Sequence, residues 1–370
     1  MSPDPRAESP TESPPELLAT LFPDAFVERL IDPLFASPEG AAVAVRVLGA
    51  PLAHVCASRA RQPAVDLADL HGQAASESLR GRKIRERAIG LLADLADESI
   101  RAVAMKGLAM ACDIYPRPAY RLLPDVDILF FDADLPRLAR YLSQAGYRTA
   151  VDPGELRPWG VLAKASFAPI FPPDHGLYLD VHRDIDEWPA SRGLNPARLF
   201  DHAGSADTEW GPCPVVSREH GFVIAALNAY RDFYRPEALK GLFDICLLLC
   251  RHGGGLDLGE IEAVARRGGF VKRILFYREL LAALGAPRAA LFEERRLSRP
   301  LKRLLATVVE NYQTLGRHPI SDVRKIVLEA SLLDSPWTTV LLNGRRLYHM
   351  AAPRMHYLPG VPVVDFADLP

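Results

Sequence analysis

The sequence predicts an α+β protein in which a small mixed β-sheet core lies between two helical regions. Apolar residues recur at three- to four-residue intervals from Glu16 to about Ile100 and again beyond Ser217, which is typical of amphipathic helices. Between these regions, short apolar runs bounded by glycine and proline alternate with shorter helical patterns, as they do where helices pack on a sheet.

These changes of pattern divide the chain into four segments. Residues 1–15 are rich in proline and acidic side chains and predict a disordered tail. We expect a helical region at 16–99, an α/β core at 100–215 and a second helical region at 216–370.

Four runs in the core predict strands. They are "RAVAMKG", "DVDILFF" and the segments Lys164–Phe171 and Leu177–Ile185. After the first run, "LAMACDIYP" predicts a short helix that Pro116 stops. After the second, "LPRLARYLSQAGY" predicts a helix that Gly146 closes.

Composition and charge narrow the class of protein. A formal net charge of -2 over 370 residues argues against a surface built to bind long nucleic acid. The cysteines lack paired spacing, and Cys246 and Cys250, one turn apart on an apolar stripe, favour buried thiols over a metal site. With no signal peptide and no membrane-spanning run, we expect a cytoplasmic protein. The abundance of Ala, Arg, Leu and Pro suggests a GC-rich bacterial genome.

Aspartates surround the apolar run in "RLLPDVDILFFDADLP". Alternate side chains of a strand share a face, so Asp125 and Asp127 point the same way. Their charges repel each other unless a divalent cation lies between them, an arrangement that two-metal phosphoryl or nucleotidyl transfer needs. Asp132 and Asp134 have a structural explanation, the first in a turn and the second as the N-cap of the following helix.

A third carboxylate comes from "LYLDVHRDI". Asp180 and His182 alternate in this strand pattern and therefore face the same side. Asp180 is either a member of the same site or a solvated aspartate at a strand end. His182 is a ligand, a base or a packed strand histidine, and the sequence leaves the three open.

The turn from strand to helix in "VAMKGLAMA" predicts a phosphate contact. Gly107 would let a phosphate approach the backbone, and Lys106 would supply positive charge there. Arg121 could reach the same anion. The plainer alternative for Lys106 is a solvated lysine ahead of a helix.

In this order the motifs resemble a known family. An apolar strand, Lys-Gly, a helix, Arg-x-x-x-Asp-x-Asp with an apolar continuation, and a distant Asp-x-His are similar to the uncharacterised nucleotidyltransferase family of the DNA-polymerase-β-like superfamily. The resemblance runs from about Ile100 to Gly253. It includes "ALKGLFDICLLL", which resembles a later helix of the family that carries an aspartate, here Asp244.

The resemblance implies roles for the carboxylates and for the strand–helix turn. Asp125 and Asp127 would hold Mg²⁺ (or Mn²⁺) and the triphosphate, and Asp180 would complete the metal site and activate the acceptor hydroxyl. Lys106 and Gly107 would line the phosphate pocket.

One departure from the superfamily is Leu108, which follows Gly107 where a serine is common. The phosphate contact would then come from backbone N–H groups or from the lysine.

Three further residues have a role at the site or a plainer alternative. Arg231 in "RDFYR" would clamp a nucleotide or belong to an ordinary helix end, and Asp244 would serve the site or pair with Lys240 one turn earlier.

The expected function is metal-dependent transfer of a nucleotidyl group from a nucleoside triphosphate (NTP), ATP for example, to a hydroxyl or phosphate acceptor. A modified peptide natural product, a small metabolite and an RNA end are the acceptors considered. The alternative is a catalytically silent binding module with the same fold, which Leu108 favours and the three carboxylates oppose.

Overall fold

The computed structural model describes residues 21–150, 166–185, 190–231, 235–314, 331–341, 344 and 357–364. Within these ranges the chain forms one eight-stranded mixed sheet with helices packed around it, which confirms the predicted α+β class. The tail predicted at 1–15 lies outside them. None of the helices in the described part of the chain is both long and apolar enough to cross a membrane.

Helices precede the sheet, as the apolar periodicity predicts. They are α1 (Asp24–Phe26), α2 (Asp32–Phe35), α3 (Pro38–Leu48), α4 (Ala50–Arg59) and α5 (Leu67–Asp97), with a π-helical turn at Val27–Ile31. Helix α5 begins where the side chain of Asp66 accepts hydrogen bonds from the N–H groups of Ala68 and Asp69.

Further helices in the described part of the chain lie between the strands, or after them, in sequence. They are α6 (Lys106–Asp113), α7 (Leu135–Gln144), α8 (Pro196–Asp201), α9 (Arg218–Arg231), α10 (Leu239–His252), α11 (Leu258–Gly268), α12 (Val271–Ala283) and α13 (Arg299–Gln313). Helix α11 shows both end signals, because Asp257 caps its first turn and Gly269 ends it in the left-handed conformation.

The strands are β1 (Ala102–Ala104), β2 (Val126–Phe130), β3 (Arg148–Ala150), β4 (Ile170–Phe171), β5 (Leu179–His182), β6 (Gly204–Thr208), β7 (Gly211–Val215) and β8 (Val363–Val364). Their order across the sheet is β6-β7-β1-β2-β5-β4-β3-β8. Within the two later predicted runs, the described strands are β4 and β5, and Ser166 adds an isolated bridge to His182, while residues 164 and 165 lie outside the described ranges. The hairpin of β6 and β7 was not predicted, because prolines at 212 and 214 interrupt its apolar pattern.

The apolar core is continuous from the first helices to the last. Phe22 and Phe26 contact Phe243 of α10 edge to face, with ring centroids 5.2 and 5.3 Å apart. The same cluster includes the buried residues of β2 and β5. Division into the segments 16–99, 100–215 and 216–370 therefore stays a prediction.

Candidate active site

Two carboxylates meet at the centre of the sheet. Strands β2 and β5 are adjacent and parallel, and their register sets Asp127 opposite Asp180. Val126 and Ile128 on either side of Asp127 are fully buried in the core, and strand alternation turns the aspartate to the other face. Asp127 is also buried, whereas Asp180 is partly exposed.

A lysine and a histidine bind these carboxylates. Nζ of Lys106 donates to Oδ1 of Asp127 at 2.5 Å, and Nε2 of His182 lies 2.9 Å from the same oxygen. Nε2 of His182 is also 3.1 Å from Oδ2 of Asp180. Because Nε2 contacts two acceptors, we assign its proton to that nitrogen.

The surroundings keep Asp127 ionised. Burial alone would raise the pKa of Asp127, but the Lys106 ammonium and then His182 outweigh it and lower the pKa to about 2. Burial and the lysine charge lower the pKa of His182, but its bonds to the two aspartates outweigh them, so the pKa is raised. The centre of the sheet therefore holds a buried negative charge that a cation stabilises.

Asp125 lies apart from this group. It stands one residue ahead of β2 and lines the same cleft as Asp127. Burial and then the charge of Asp127 raise the pKa of Asp125. The side chains whose ligand atoms all lie within 4.8 Å of one another are Asp127, Asp180 and His182. Of the predicted metal residues, the structure thus brings Asp127 and Asp180 together and leaves Asp125 outside the group.

The start of α6 directs Lys106 toward Asp127. The N–H of Met105 donates to the carbonyl oxygen of Asp127 at 3.1 Å and ties the end of β1 to β2. Lys106 follows with a φ of 49°, in the left-handed region that is strained for a residue with a side chain. The ion pair with Asp127 offsets that strain.

Gly107 has a packing explanation. A side chain at this position would meet Leu123 at 2.9 Å and the guanidinium of Arg121 at 3.8 Å. The glycine therefore makes room for the loop that precedes β2. Its approach to a phosphate stays a prediction.

Arg121 is bound to Asp244 rather than free in the cleft. Its Nε and Nη2 donate to the two carboxylate oxygens at 2.8 and 3.0 Å, and the hydroxyl of Tyr115 donates to Oδ1 at 2.8 Å. Asp244 thus pairs with residues of other elements and not with Lys240 one turn earlier. Tyr115 was not predicted, and its place before Pro116 is the only local signal.

A cleft of about 200 Å³ opens beside these residues. The start of α6 and the two aspartates at 125 and 127 line it, and α9 and α10 contribute Asn228 and Lys240. Lys240 forms no ion pair within the described ranges, and burial lowers its pKa. Arg231 ends α9, but its side chain lies outside what the structure describes. The cleft therefore combines carboxylates with cations, which suits a ligand whose phosphate oxygens bind both a metal and ammonium groups.

Two further aspartates are structural: Asp132 lies in the connecting turn as predicted, and Asp134 forms ion pairs in place of the predicted capping bond. Asp134 precedes α7, but its carboxylate forms no capping bond. It accepts bonds from Arg101 at 2.8 Å and Arg137 at 2.5 Å instead. Asp132 pairs with Arg183 at 2.5 Å.

The chain was compared with family models, curated proteins and solved structures. The model of a family described as uncharacterised nucleotidyltransferase matches residues 41–285. No curated protein matches the chain. The crystal structure of an antigenic nucleotidyltransferase-like protein from Paracoccidioides brasiliensis is similar with a TM-score of 0.35 and 16% identity, covering 57% of this chain and 97% of that chain. Because the family model spans well over half of the sequence, the chain belongs to the uncharacterised nucleotidyltransferase family.

Proposed function

We propose that the protein is a metal-dependent nucleotidyltransferase that moves a nucleotidyl group from an NTP, ATP for example, to a hydroxyl or phosphate acceptor. The observation that carries the proposal is the placement of Asp127 opposite Asp180 on adjacent parallel strands, beside a cleft that begins at Lys106. The near-neutral charge favours a small-molecule or peptide acceptor over long nucleic acid, and we place the reaction in the cytoplasm.

The donor set fits a divalent cation. Carboxylate oxygens are the ligands that Mg²⁺ and Mn²⁺ prefer, and those of Asp127 and Asp180 are close enough to share one ion. The Lys106 ammonium at 2.5 Å from Oδ1 of Asp127 is itself a cation in this position. Asp125, two residues earlier, would add a carboxylate from the cleft side. A bound cation supplies positive charge to the transferring phosphoryl group and lowers the pKa of an attacking hydroxyl.

His182 is better suited to hold the carboxylates than to bind the metal. A metal-bound imidazole nitrogen carries no proton, and the other ring nitrogen then normally donates to an acceptor. Nδ1 of His182 is buried and has no such partner in the described part of the chain. Nε2 instead donates toward both Asp127 and Asp180 and fixes their oxygens. We therefore give His182 a positioning role.

The remaining side chains divide the work of substrate binding and proton transfer. Asp180 is the more exposed of the pair, with 22% of its side chain accessible, so its second oxygen can accept the proton of an acceptor hydroxyl. Lys106 can exchange Asp127 for a phosphate oxygen, since both are anionic acceptors. The N–H groups at the start of α6 would add to this contact, and Lys240 would supply charge from α10.

The test is pyrophosphate release. Wild type and Asp127→Asn are incubated with each labelled NTP, Mg²⁺ or Mn²⁺, and cell extract as the source of acceptor. We expect release by the wild type and none by the variant, because the variant lacks the central metal-binding charge. Asp132→Asn is the matched control, since Asp132 lies just beyond the same strand and pairs on the surface with Arg183.

The same assay separates the enzyme from a silent binding module. A module would bind NTP in a Mg²⁺-dependent way but release no pyrophosphate in the wild type with any NTP. Activity that survives in Asp127→Asn would contradict the proposed site. Asp127→Asn should lower the melting temperature without metal in an enzyme and in a silent module alike, because Lys106 and His182 bind the Asp127 carboxylate.

A further inference from the structure

A second cavity lies behind the loop that borders the cleft. Its volume is about 150 Å³, and it is lined by one face of α5, including Arg80 and Arg85, and by the loop before β2. Arg121, Leu122 and Pro124 line both cavities, so this part of the loop forms a partition between them.

Arg85 is a buried cation with an incomplete set of partners. Its side chain is among the buried charged groups, with the residue 4% exposed. Nη1 donates to the carbonyl oxygen of Pro118 at 3.2 Å, but Nε is buried without a hydrogen-bond partner, and no described carboxylate forms a salt bridge with it. Burial is also the main cause that lowers the pKa of Arg85. A buried charge without a counter-charge destabilises the folded protein.

The charged groups around Arg85 are already engaged. Glu209 exerts a favourable field on Arg85, but it is bonded to Arg82 at 2.6 Å. The thiol of Cys112, which also favours the charged form of Arg85, is hydrogen-bonded to the free thiol of Cys213. Neither group supplies a full counter-charge to the cavity.

The same holds for the other charged groups that line the cavity. Oε2 of Glu77 accepts a bond from the N–H of Ala50 at 2.6 Å, at the start of α4. Arg121 is neutralised by Asp244. Arg80 is exposed and forms no ion pair with a described residue. With Arg121 paired to Asp244, the cavity wall still holds two arginines, Arg80 and Arg85, against one carboxylate, that of Glu77.

We propose that this second cavity binds a small oxyanion, a phosphate or carboxylate group, between Arg85 and Arg80. A guanidinium presents several N–H donors in a plane that matches such groups. The volume of about 150 Å³ exceeds the roughly 30 Å³ that one water occupies in the liquid, so a tetrahedral anion fits. A water molecule would complete the hydrogen bonding of Nε but could not neutralise the charge. The site is separate from the proposed NTP site and does not depend on the protein being an enzyme.

Titration with inorganic phosphate and with acetate tests the site. We expect phosphate or acetate to raise the melting temperature of the wild type, with saturable binding by calorimetry. Arg85→Met should weaken binding at least about tenfold, because it removes a charge-assisted bond. It should leave the melting temperature without anion unchanged or raised, because an uncompensated buried charge is gone. Arg80→Met, an exposed change that keeps the fold, should weaken binding as well.

Controls separate this cavity from the cleft. Lys83→Met removes an exposed cation from the same helix and should leave the anion response unchanged. Lys106→Met removes the proposed phosphate contact of the cleft, and the part of the anion response that depends on Arg85 and Arg80 should remain in this variant. A response that is lost in Lys106→Met and kept in Arg85→Met and Arg80→Met would place the anion in the cleft and overturn the proposal. Absence of any response in the wild type would overturn it too. Preference for phosphate or for acetate identifies which oxyanion the cavity takes.

Discussion

At the scale of single residues, the carboxylate of Asp127 depends on its two donors. Lys106 and His182 both bind Oδ1, and the carboxylate has 6% of its side chain exposed. Removing one donor leaves a buried charge with a single partner, which is costly in an environment of low polarity. The two donors differ in kind, because the lysine binds Oδ1 through an ammonium and the histidine through a ring nitrogen.

We predict that Lys106→Met destabilises the protein by about 2–4 kcal/mol without metal, because it breaks a largely buried ion pair. Mg²⁺ should stabilise this variant more than the wild type, since a cation no longer competes with the ammonium. The double variant Lys106→Met with Asp127→Asn should recover part of the loss. Urea unfolding with and without Mg²⁺ measures all three. Equal Mg²⁺ effects in variant and wild type would contradict competition at Asp127.

The NTP should bind more weakly to Lys106→Met than to the wild type, because a charge-assisted phosphate contact is lost. Calorimetry with Mg²⁺ and a non-hydrolysable NTP analogue measures the affinity. Arg137→Met is the control, because Arg137 pairs with Asp134 outside the cleft. An unchanged dissociation constant would leave Lys106 a partner of Asp127 and nothing more.

The positioning role of His182 predicts a different response from that of a metal ligand. His182→Gln keeps an N–H donor, so Mn²⁺ affinity should change little. Asp180→Asn removes a ligand charge and should lower the affinity by at least about tenfold. Electron paramagnetic resonance of free Mn²⁺ measures both. If His182→Gln lowers the affinity for Mn²⁺ as much as Asp180→Asn does, the histidine is a metal ligand.

At the scale of elements, a buried histidine couples helices α9 and α11 to pH. Nδ1 of His220 lies 2.8 Å from Oγ of Ser217, and Nε2 is buried, 3.7 Å from Oε1 of Glu260. Burial lowers the pKa of His220 from 6.5 to about 4. The unfolded chain therefore binds a proton before the folded chain does, so stability falls as pH falls from 6.5 toward 4.

The predicted size of this effect is roughly 3 kcal/mol at most. His220→Gln should abolish it, so the difference in free energy of unfolding between wild type and variant should shrink as pH is lowered from 7.5 to 4.5. His175→Gln, an exposed change shortly after β4, should retain the wild-type pH dependence. Urea unfolding at both pH values is the measurement. Parallel pH profiles for wild type and His220→Gln would contradict the assignment.

Local patterns were enough to predict some elements and not others. Strand β2, and the face of it that carries Asp127, follow from alternation alone. The pairing of β2 with β5 cannot be predicted from local patterns, because the choice of a parallel partner depends on tertiary packing. The prolines of β7 concealed a real strand for the same reason, since pairing to β6 and β1 outweighed local propensity.

The candidate site shows the same division. The sequence places Lys106, Asp127 and Asp180 in the right elements, but not the bond from Lys106 to Asp127, which depends on an unusual backbone angle at the lysine. The pair of Arg121 with Asp244 joins residues 123 positions apart and carries no local signal. Ion pairs between residues far apart in the chain therefore could not be predicted from the sequence.

At the scale of the whole molecule, the first helices and the later ones share one core. Phe26 is fully buried and packs against Phe22 and Phe243. Gly285, with a φ of 87°, approaches the backbone of Ala25 so closely that a side chain there would lie 2.3 Å from it. These contacts join chain segments that the periodicity pattern separates.

We predict that Phe26→Ala costs about 3–5 kcal/mol and lowers one common unfolding transition. For each protein, calorimetry and circular dichroism should report the same midpoint, and that midpoint should be lower in the variant than in the wild type. Leu79→Ala is the control, because Leu79 is 66% exposed. Two transitions, of which only one shifts, would instead support independent folding of the segment 16–99.

The parallel pairing of β2 with β5 also has a consequence for the rate of folding. The two aspartates come together only after a long stretch of chain has closed, and such non-local parallel contacts form slowly. We predict that the site is completed only after the transition state for folding has been crossed. A divalent cation bound there should therefore leave the folding rate nearly unchanged and slow unfolding, so that the metal lengthens the lifetime of the native protein.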